Sequence, residues 1–207
     1  MVTRFAPSPT GRLHLGHAYS AVRAHDLARA AGGRFLLRIE DIDTTRSRPE
    51  HVAAILEDLR WLGLAWDDHA VQSDRVGEHA AALARLRDMG LVYPCFCTRA
   101  AIAASLSAPH GPEGALYPGT CRALTEAERE ARMGEPHAWR LDVAAAMART
   151  GPLWWYDAEA GRVAADPASL GDVVLARKDI ATSYHLAVTV DDADAGVTDV
   201  VRGTDLF

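Results

Sequence analysis

The spacing of apolar residues in the N-terminal half of the chain predicts strands that alternate with helices. Residues 2–6 and 34–39 are predicted to be β-strands, and residues 17–31 a helix that ends at the Gly32-Gly33 pair. Two more helices are indicated by apolar stripes at helical spacing, which we interpret as core faces. The stripes are Val52, Ile55, Leu56, Leu59 and Leu62 before Gly63, and Val76, Ala80, Leu83 and Leu86 before Gly90. This alternation is typical of an α/β fold with a parallel sheet.

The alternating pattern breaks at Cys95. A loop rich in glycine and proline follows, and then a helix predicted to start at Thr125 with Glu128 as its capping-box partner. A Trp-rich stretch leads into a predicted hairpin turn over residues 157–161. We interpret residues 95–170 as a small α+β insertion.

A sheet pattern resumes after the insertion. Residues 172–177, 184–190 and 197–201 are predicted to be strands. The chain is therefore predicted to be a Rossmann-like nucleotide-binding domain in two halves, residues 1–94 and 171–207, which the insertion interrupts.

Composition narrows the class of protein. The 207 residues can build a substantial core, no apolar run approaches the length of a membrane span, and the start does not read as a signal peptide. These features predict a soluble cytoplasmic protein. Three cysteines are too few for a disulfide scaffold. The net charge of −6 counts against a large RNA-binding surface, although a local basic patch would suffice for tRNA.

The turn between the first strand and the first helix carries the most specific pattern. It reads Arg4-Phe5-Ala6-Pro7-Ser8-Pro9-Thr10-Gly11-Arg12-Leu13-His14-Leu15-Gly16-His17. A helix N-terminus attracts phosphates through its free N–H groups and its dipole, and Gly16 lets a nucleotide approach the backbone closely. His14 and His17 can face the same anion and stabilise charge on it. The pattern predicts transfer of adenylate from ATP to a carboxylate or phosphate; two surface histidines beside a turn are the alternative.

This segment resembles the first signature of the class I glutamyl-tRNA synthetases. The resemblance spans essentially the whole chain and continues at Arg38-Ile39-Glu40-Asp41-Ile42-Asp43-Thr44-Thr45-Arg46 and at Gly196-Val197-Thr198-Asp199-Val200-Val201-Arg202-Gly203. Within the family, Tyr117-Pro118-Gly119-Thr120-Cys121 and Asp205-Leu206 favour the short paralogue. The resemblance implies activation of L-glutamate with ATP and Mg²⁺, and transfer of the glutamate to the queuosine base of tRNA(Asp).

The resemblance also implies which residues bind the substrates. Arg4 and Arg202 would clamp the side-chain carboxylate of glutamate with help from the Tyr184 hydroxyl, and Glu40 would hold the α-ammonium. Two arginines favour glutamate over glutamine, since an amide would leave positive charge unpaired. The residues that would line the glutamate site are Phe5, Ala6, Pro7 and Ser8, and those that would bind ATP are Pro9, Thr10, Gly11, His14, Gly16 and His17.

Two groups of residues could bind metal ions. Asp41 and Asp43 form a small acidic cluster, but helix capping and salt bridging explain Asp43, and the phosphates of ATP supply most ligands of Mg²⁺. We therefore assign no protein ligand to Mg²⁺.

Cys95, Cys97 and Cys121 suit a tetrahedral zinc site. His110 is available as a fourth ligand, whereas the resemblance implies the phenolate oxygen of Tyr117. With four protein ligands the zinc would be structural, because no position is left open for catalysis. The alternatives are buried free thiols, or a family member that has lost its metal.

Four aromatic residues of the insertion allow two interpretations. They could stack on RNA bases, but packing inside a small domain is favoured. These residues are Trp139, Trp154, Trp155 and Tyr156.

Other functions stay open at this point. The chain could be part of an ordinary glutamyl-tRNA synthetase that charges the 3′ end of tRNA(Glu), a small-molecule nucleotidylyltransferase, or a non-catalytic module that binds glutamate or a nucleotide. The family's lysine-bearing signature, which holds the triphosphate, does not occur in the sequence. We therefore expect the chain to be cut short before that signature.

Overall fold

The computed structural model describes residues 1–98, 117–177 and 182–203. The chain divides into two compact units, Met1–His79 with Ala187–Phe207, and Ala80–Leu186. The predicted domain boundaries at residues 95 and 170 remain predictions. Within the described ranges, no helix has the length and apolar character needed to span a membrane.

The first unit contains a parallel sheet, as the sequence predicts. Its strands are β1 (Val2–Phe5), β2 (Arg34–Ile39) and β3 (Asp68–Val71), in that order. The helices α1 (Leu15–Ala30) and α2 (Pro49–Trp61) connect them. The core residues are Phe5, Ala21, Ala24, Ala28, Phe35, Leu37, Ile39, Ile55, Leu59 and Leu64. The small buried side chains of α1 recur at helical spacing, which fits the close contact of this helix with β1 and β2.

The outer edge of β1 is covered by a segment without regular strand geometry. The N–H groups of Thr198 and Asp199 both donate to the carbonyl of Val2, and the Val2 N–H donates to the Thr198 hydroxyl at 2.8 Å. The prediction of a strand over 197–201 is therefore wrong. A side-chain hydroxyl takes the place of the backbone carbonyl that a regular ladder would use.

The second unit contains an antiparallel sheet and a hairpin. The sheet has the order β4 (Val92–Cys95), β5 (Ala138–Leu141) and β8 (Val174–Ala176), and the hairpin consists of β6 (Trp154–Asp157) and β7 (Gly161–Ala164). The helices of this part of the chain are α3 (Val76–Asp88), α4 (Glu126–Arg132) and α5 (Val143–Thr150). The strand predicted at 172–177 thus forms, but it pairs antiparallel with β5 instead of extending the parallel sheet.

The sequence correctly predicts a capping box and a hairpin turn in this unit. The Thr125 hydroxyl accepts from the Glu128 N–H at 3.3 Å, and the Glu128 carboxylate accepts from the Thr125 N–H at 2.7 Å. The capping box is therefore confirmed, as is the hairpin turn between β6 and β7.

The strand predicted at 184–190 is wrong, because this segment belongs to helix α6 (Tyr184–Asp194). Its buried residues Leu186, Ala187 and Asp191 follow helical spacing. The Ser183 hydroxyl accepts from the Leu186 N–H at 3.3 Å, and Gly196, with φ of +68°, follows the helix end. These capping signals outweigh the β-branched composition of the segment.

Three aromatic residues of the hairpin are more exposed than the sequence predicts. Trp154, Trp155 and Tyr156 are 53%, 44% and 75% exposed. The interpretation that they pack a core is therefore wrong for these three. A two-stranded hairpin buries little of either face unless another element covers it.

Candidate functional site

Two stacked histidine rings mark the turn between β1 and α1. The ring centroids of His14 and His17 are 3.8 Å apart, with an angle of 25° between the ring planes. His14 is the N-cap residue of α1, and its Nδ1 accepts from the Gly16 N–H at 3.2 Å. A Cβ on residue 16 would lie 3.1 Å from the His14 ring, so the absence of a side chain makes room for this cap. Both predicted catalytic residues therefore lie at the helix N-terminus.

The capping bonds decide which nitrogen of each ring carries the proton. The His14 backbone N–H donates to Nδ1 of His17 at 3.3 Å, so Nδ1 is an acceptor in both rings. A neutral ring that accepts at Nδ1 has its proton at Nε2. Burial, and after it the neighbouring His14, lower the pKa of His17. Each ring can thus donate a hydrogen bond from Nε2 to a phosphate.

Backbone hydrogen bonds hold this turn against the second motif. The Glu40 N–H donates to the Pro7 carbonyl at 3.0 Å, and the Arg48 N–H donates to the Pro9 carbonyl at 3.0 Å. Glu40 directly follows β2, and these bonds place it beside the turn that follows β1. The carboxyl ends of the two parallel strands therefore meet, which is where ligands bind in open α/β sheets.

The other predicted residues of the turn differ in their surroundings. The Phe5 side chain packs into the core of the first unit, which leaves its backbone as the part able to face a ligand. Pro7 and Pro9 are buried, Ala6 and Gly11 are half-buried, and Ser8 and Thr10 are exposed.

Arg4 and Glu40 belong to one chain of ion pairs. Nε of Arg4 donates to both carboxylate oxygens of Asp192 at 3.2 Å. Nη1 of Arg38 donates to the same carboxylate at 2.6 Å, and Nη2 of Arg38 donates to Glu40 at 2.9 Å. Arg38 and Glu40 are buried. Two predicted substrate ligands are thus linked through Asp192 and Arg38, to which the sequence analysis gave no role.

Burial raises the pKa of Glu40, and the positive charge of Arg38 opposes that rise. A carboxyl group must be ionised to hold an ammonium ion. The predicted role of Glu40 at the α-ammonium would therefore be lost as the pH falls through this raised pKa.

The two remaining predicted glutamate ligands lie later in the chain. Tyr184 is the first residue of α6 and is half exposed, and Arg202 is exposed in the segment that follows α6. Their convergence on the side-chain carboxylate of glutamate remains a prediction.

A cavity of about 200 Å³ lies beside the ion pairs of the first unit. Arg4, Arg38 and Asp191 line it, together with the apolar residues Leu36 and Ala70. Among the predicted substrate ligands, only Arg4 lines this cavity.

Three thiol groups of the second unit converge as the sequence predicts. Sγ atoms of Cys95, Cys97 and Cys121 all lie within 4.8 Å of one another, and those of Cys97 and Cys121 are 3.5 Å apart. That separation is too long for a disulfide bond of about 2.0 Å. Zinc–sulfur bonds of about 2.3 Å in a tetrahedron would separate two sulfurs by about 3.8 Å. The cluster could therefore bind a metal ion such as zinc.

The Tyr117 hydroxyl lies at the same cluster. It is 3.8 Å from Sγ of Cys97 and accepts from the Cys121 N–H at 2.7 Å. Burial raises the pKa of Tyr117, and it raises that of Cys97 to about 11. A bound cation would counteract both shifts, because it stabilises the deprotonated ligands. His110, the other candidate for a fourth ligand, lies outside the described residues.

The fold and the turn define a class of protein. A parallel sheet whose first strand leads through His14-Leu15-Gly16-His17 into a helix N-terminus identifies a class I aminoacyl-tRNA synthetase. The family model for class I tRNA synthetases (E and Q), catalytic domain, matches residues 1–207. The chain belongs to this family.

Two individual relatives show which members of the family the chain resembles. The chain is 50% identical to the glutamyl-Q tRNA(Asp) synthetase of Rhodobacter capsulatus, covering 100% of this chain and 78% of the relative. It is 48% identical to the protein of the same name from Symbiobacterium thermophilum, covering 99% of this chain and 66% of the relative.

A solved structure agrees with the fold. The crystal structure of a glutamate tRNA ligase from Elizabethkingia meningosepticum, in complex with its amino acid, superposes with a TM-score of 0.82 at 28% identity. The match covers 99% of this chain and 44% of the ligase.

Proposed function

We propose that the protein activates L-glutamate with ATP and transfers it to the queuosine base of tRNA(Asp). The observation that carries the activation step is the placement of Glu40 beside the histidine turn at the carboxyl ends of β1 and β2. The names of the relatives support tRNA(Asp) as the acceptor.

The activation step needs no general base. The α-carboxylate of glutamate is ionised at neutral pH, and its oxygen attacks the α-phosphorus of ATP. A bond forms between the carboxylate oxygen and the α-phosphorus, the bond between the α-phosphorus and the oxygen that bridges to the β-phosphate breaks, and pyrophosphate leaves. Mg²⁺ held by the phosphates would neutralise part of their negative charge. His14 and His17 donate hydrogen bonds through Nε2 to the phosphate oxygens as negative charge shifts between them. Pro9, Thr10, Gly11 and Gly16 provide the backbone against which the nucleotide lies.

Amino-acid recognition uses charges at both ends of the substrate. Arg4 and Arg202 bind the side-chain carboxylate with help from Tyr184, and Glu40 binds the α-ammonium. Ala6 and Ser8 border the same turn. In the transfer step, a hydroxyl oxygen of the queuosine attacks the activated carbonyl carbon, the bond from that carbon to the phosphate oxygen breaks, and AMP leaves while its phosphate takes up the hydroxyl proton.

We also propose that the second unit binds one structural zinc ion. Cys95, Cys97, Cys121 and Tyr117 would hold it, since their ligand atoms already converge. The ion would tie β4 to the segment that carries Cys121, and it would have no part in the reaction.

Exchange of pyrophosphate into ATP, measured with the full-length protein, tests the activation step. We expect exchange that depends on glutamate and is not supported by glutamine. His14→Asn should lower the exchange rate by about 100-fold, because the Nε2–H donor is lost. Thermal stability should change little, since asparagine also caps helices well.

A histidine outside the turn provides the control. His51→Asn, in α2, should leave the exchange rate unchanged. A wild-type protein that supports no glutamate-dependent exchange would refute the proposed activity. An unchanged rate in His14→Asn would refute only the role of that residue.

A further inference from the structure

Asp192 occupies a position between the two groups proposed to bind glutamate. Its carboxylate accepts from Arg4 at 3.2 Å and from Arg38 at 2.6 Å. Arg38 in turn donates to Glu40 at 2.9 Å. Asp191 also lies 4.0 Å from Nε of Arg38, so the chain of ion pairs extends to the next residue of α6.

The contact with Asp192 leaves the substrate-binding edge of Arg4 available. Arg4 donates to Asp192 through Nε. Within residues 1–98, 117–177 and 182–203, no group accepts a hydrogen bond from its two terminal nitrogens. A guanidinium binds a carboxylate best through two parallel hydrogen bonds, and these two nitrogens can supply them. The Arg4 side chain is 12% exposed and also lines the cavity beside the ion pairs.

The helix that carries Asp192 is itself fixed. The adjacent Asp191 is buried and accepts from Gln72 at 2.8 Å, from Arg75 at 2.8 Å and from His79 at 2.9 Å. Three partners from the segment 72–79 therefore hold this turn of α6. A charged group on a rigidly held helix can define the orientation of a neighbouring side chain.

We propose that Asp192 is a positioning residue, which orients the guanidinium of Arg4 toward the side-chain carboxylate of glutamate. The inference rests on the proposed function, because it takes Arg4 as a glutamate ligand. Asp192 does not touch the substrate in this account. It binds Nε of Arg4 and so directs the two terminal nitrogens to the incoming carboxylate.

Calorimetric titration of glutamate into the full-length protein tests this inference. Asp192→Asn should raise the dissociation constant about tenfold, because Arg4 loses the charged acceptor that orients it. In an Arg4→Ala background, the same substitution should change the dissociation constant by no more than about twofold, since the group it orients is gone. Asp58→Asn is the matched control: Asp58 lies on α2, outside the ion pairs of Arg4 and outside the cavity, so glutamate affinity should stay unchanged.

The outcomes separate this inference from the proposed function. A wild-type protein that does not bind glutamate would overturn both. Glutamate binding that is unchanged in Asp192→Asn would overturn the positioning role alone, as would an equal loss with and without Arg4. If Asp192→Asn lowers the melting temperature, Asp192→Glu replaces it as the test, because glutamate retains the charge but moves the carboxylate. Normal affinity for glutamate in Asp192→Glu would also contradict the inference.

Discussion

Arg4→Ala is expected to weaken glutamate binding by about 2–5 kcal/mol, as for the loss of one partner from a desolvated charge pair. Arg4 is largely buried, and its two terminal nitrogens are not used by the described part of the protein. Removing it takes one of the two proposed arginines from the substrate carboxylate and leaves Asp192 paired with Arg38 alone. Calorimetry with glutamate measures the change directly.

An exposed arginine of the same unit serves as control for Arg4. Arg34 starts β2 and lies 3.8 Å from Asp68, as a surface pair does. Arg34→Ala should therefore leave glutamate affinity unchanged. Equal affinities of the wild type and Arg4→Ala would remove Arg4 from the binding site, and so would a preference of the wild type for glutamine.

Cys121→Ser is expected to abolish metal binding and to unfold part of the second unit. A structural zinc ion contributes about 10–16 kcal/mol of apparent binding free energy in small zinc domains, and this energy also stabilises the fold. Elemental analysis of the wild type, purified without chelator, should give about one zinc per chain. The variant should contain almost none and should lose hydrogen-exchange protection around Cys95 and Cys97.

Tyr117→Phe separates the tyrosine ligand from the thiols. The substitution removes one oxygen and keeps the ring, so a role of the phenolate as ligand predicts at least about tenfold weaker zinc binding. An unchanged affinity would assign the fourth position to another group. A folded wild-type protein with less than about a tenth of one zinc per chain would contradict the metal site altogether.

Much of the first unit could be predicted from local sequence signals. The strands β1 and β2 and the helix α1 follow from apolar spacing and from the glycines at their ends. The turn between β1 and α1 could be predicted because its interacting residues, His14, Gly16 and His17, lie close together in the sequence. The thiol cluster followed in the same way from the spacing of Cys95, Cys97 and Cys121.

The ion-pair chain could not be predicted in this way. Arg4 and Asp192 are 188 residues apart, and no local pattern indicates that they pair. Arg38, which stands between the apolar residues Leu37 and Ile39 of β2, was an available signal, because a buried charge requires a partner. The strand predicted at 184–190 stopped short of Asp191 and Asp192, whereas the helix α6 extends to Asp194 and includes both. The helix instead brings Asp192 to Arg4 and leaves Asp191 to anchor α6.

Transfer of labelled glutamate to two forms of tRNA tests the central claim most directly. One is tRNA(Asp) that contains queuosine but lacks the 3′-terminal adenosine, and the other is intact tRNA without queuosine. We expect the full-length protein to label the first and not the second. Labelling of only the intact, queuosine-free tRNA would contradict the account and would indicate an ordinary glutamyl-tRNA synthetase that charges the 3′ end.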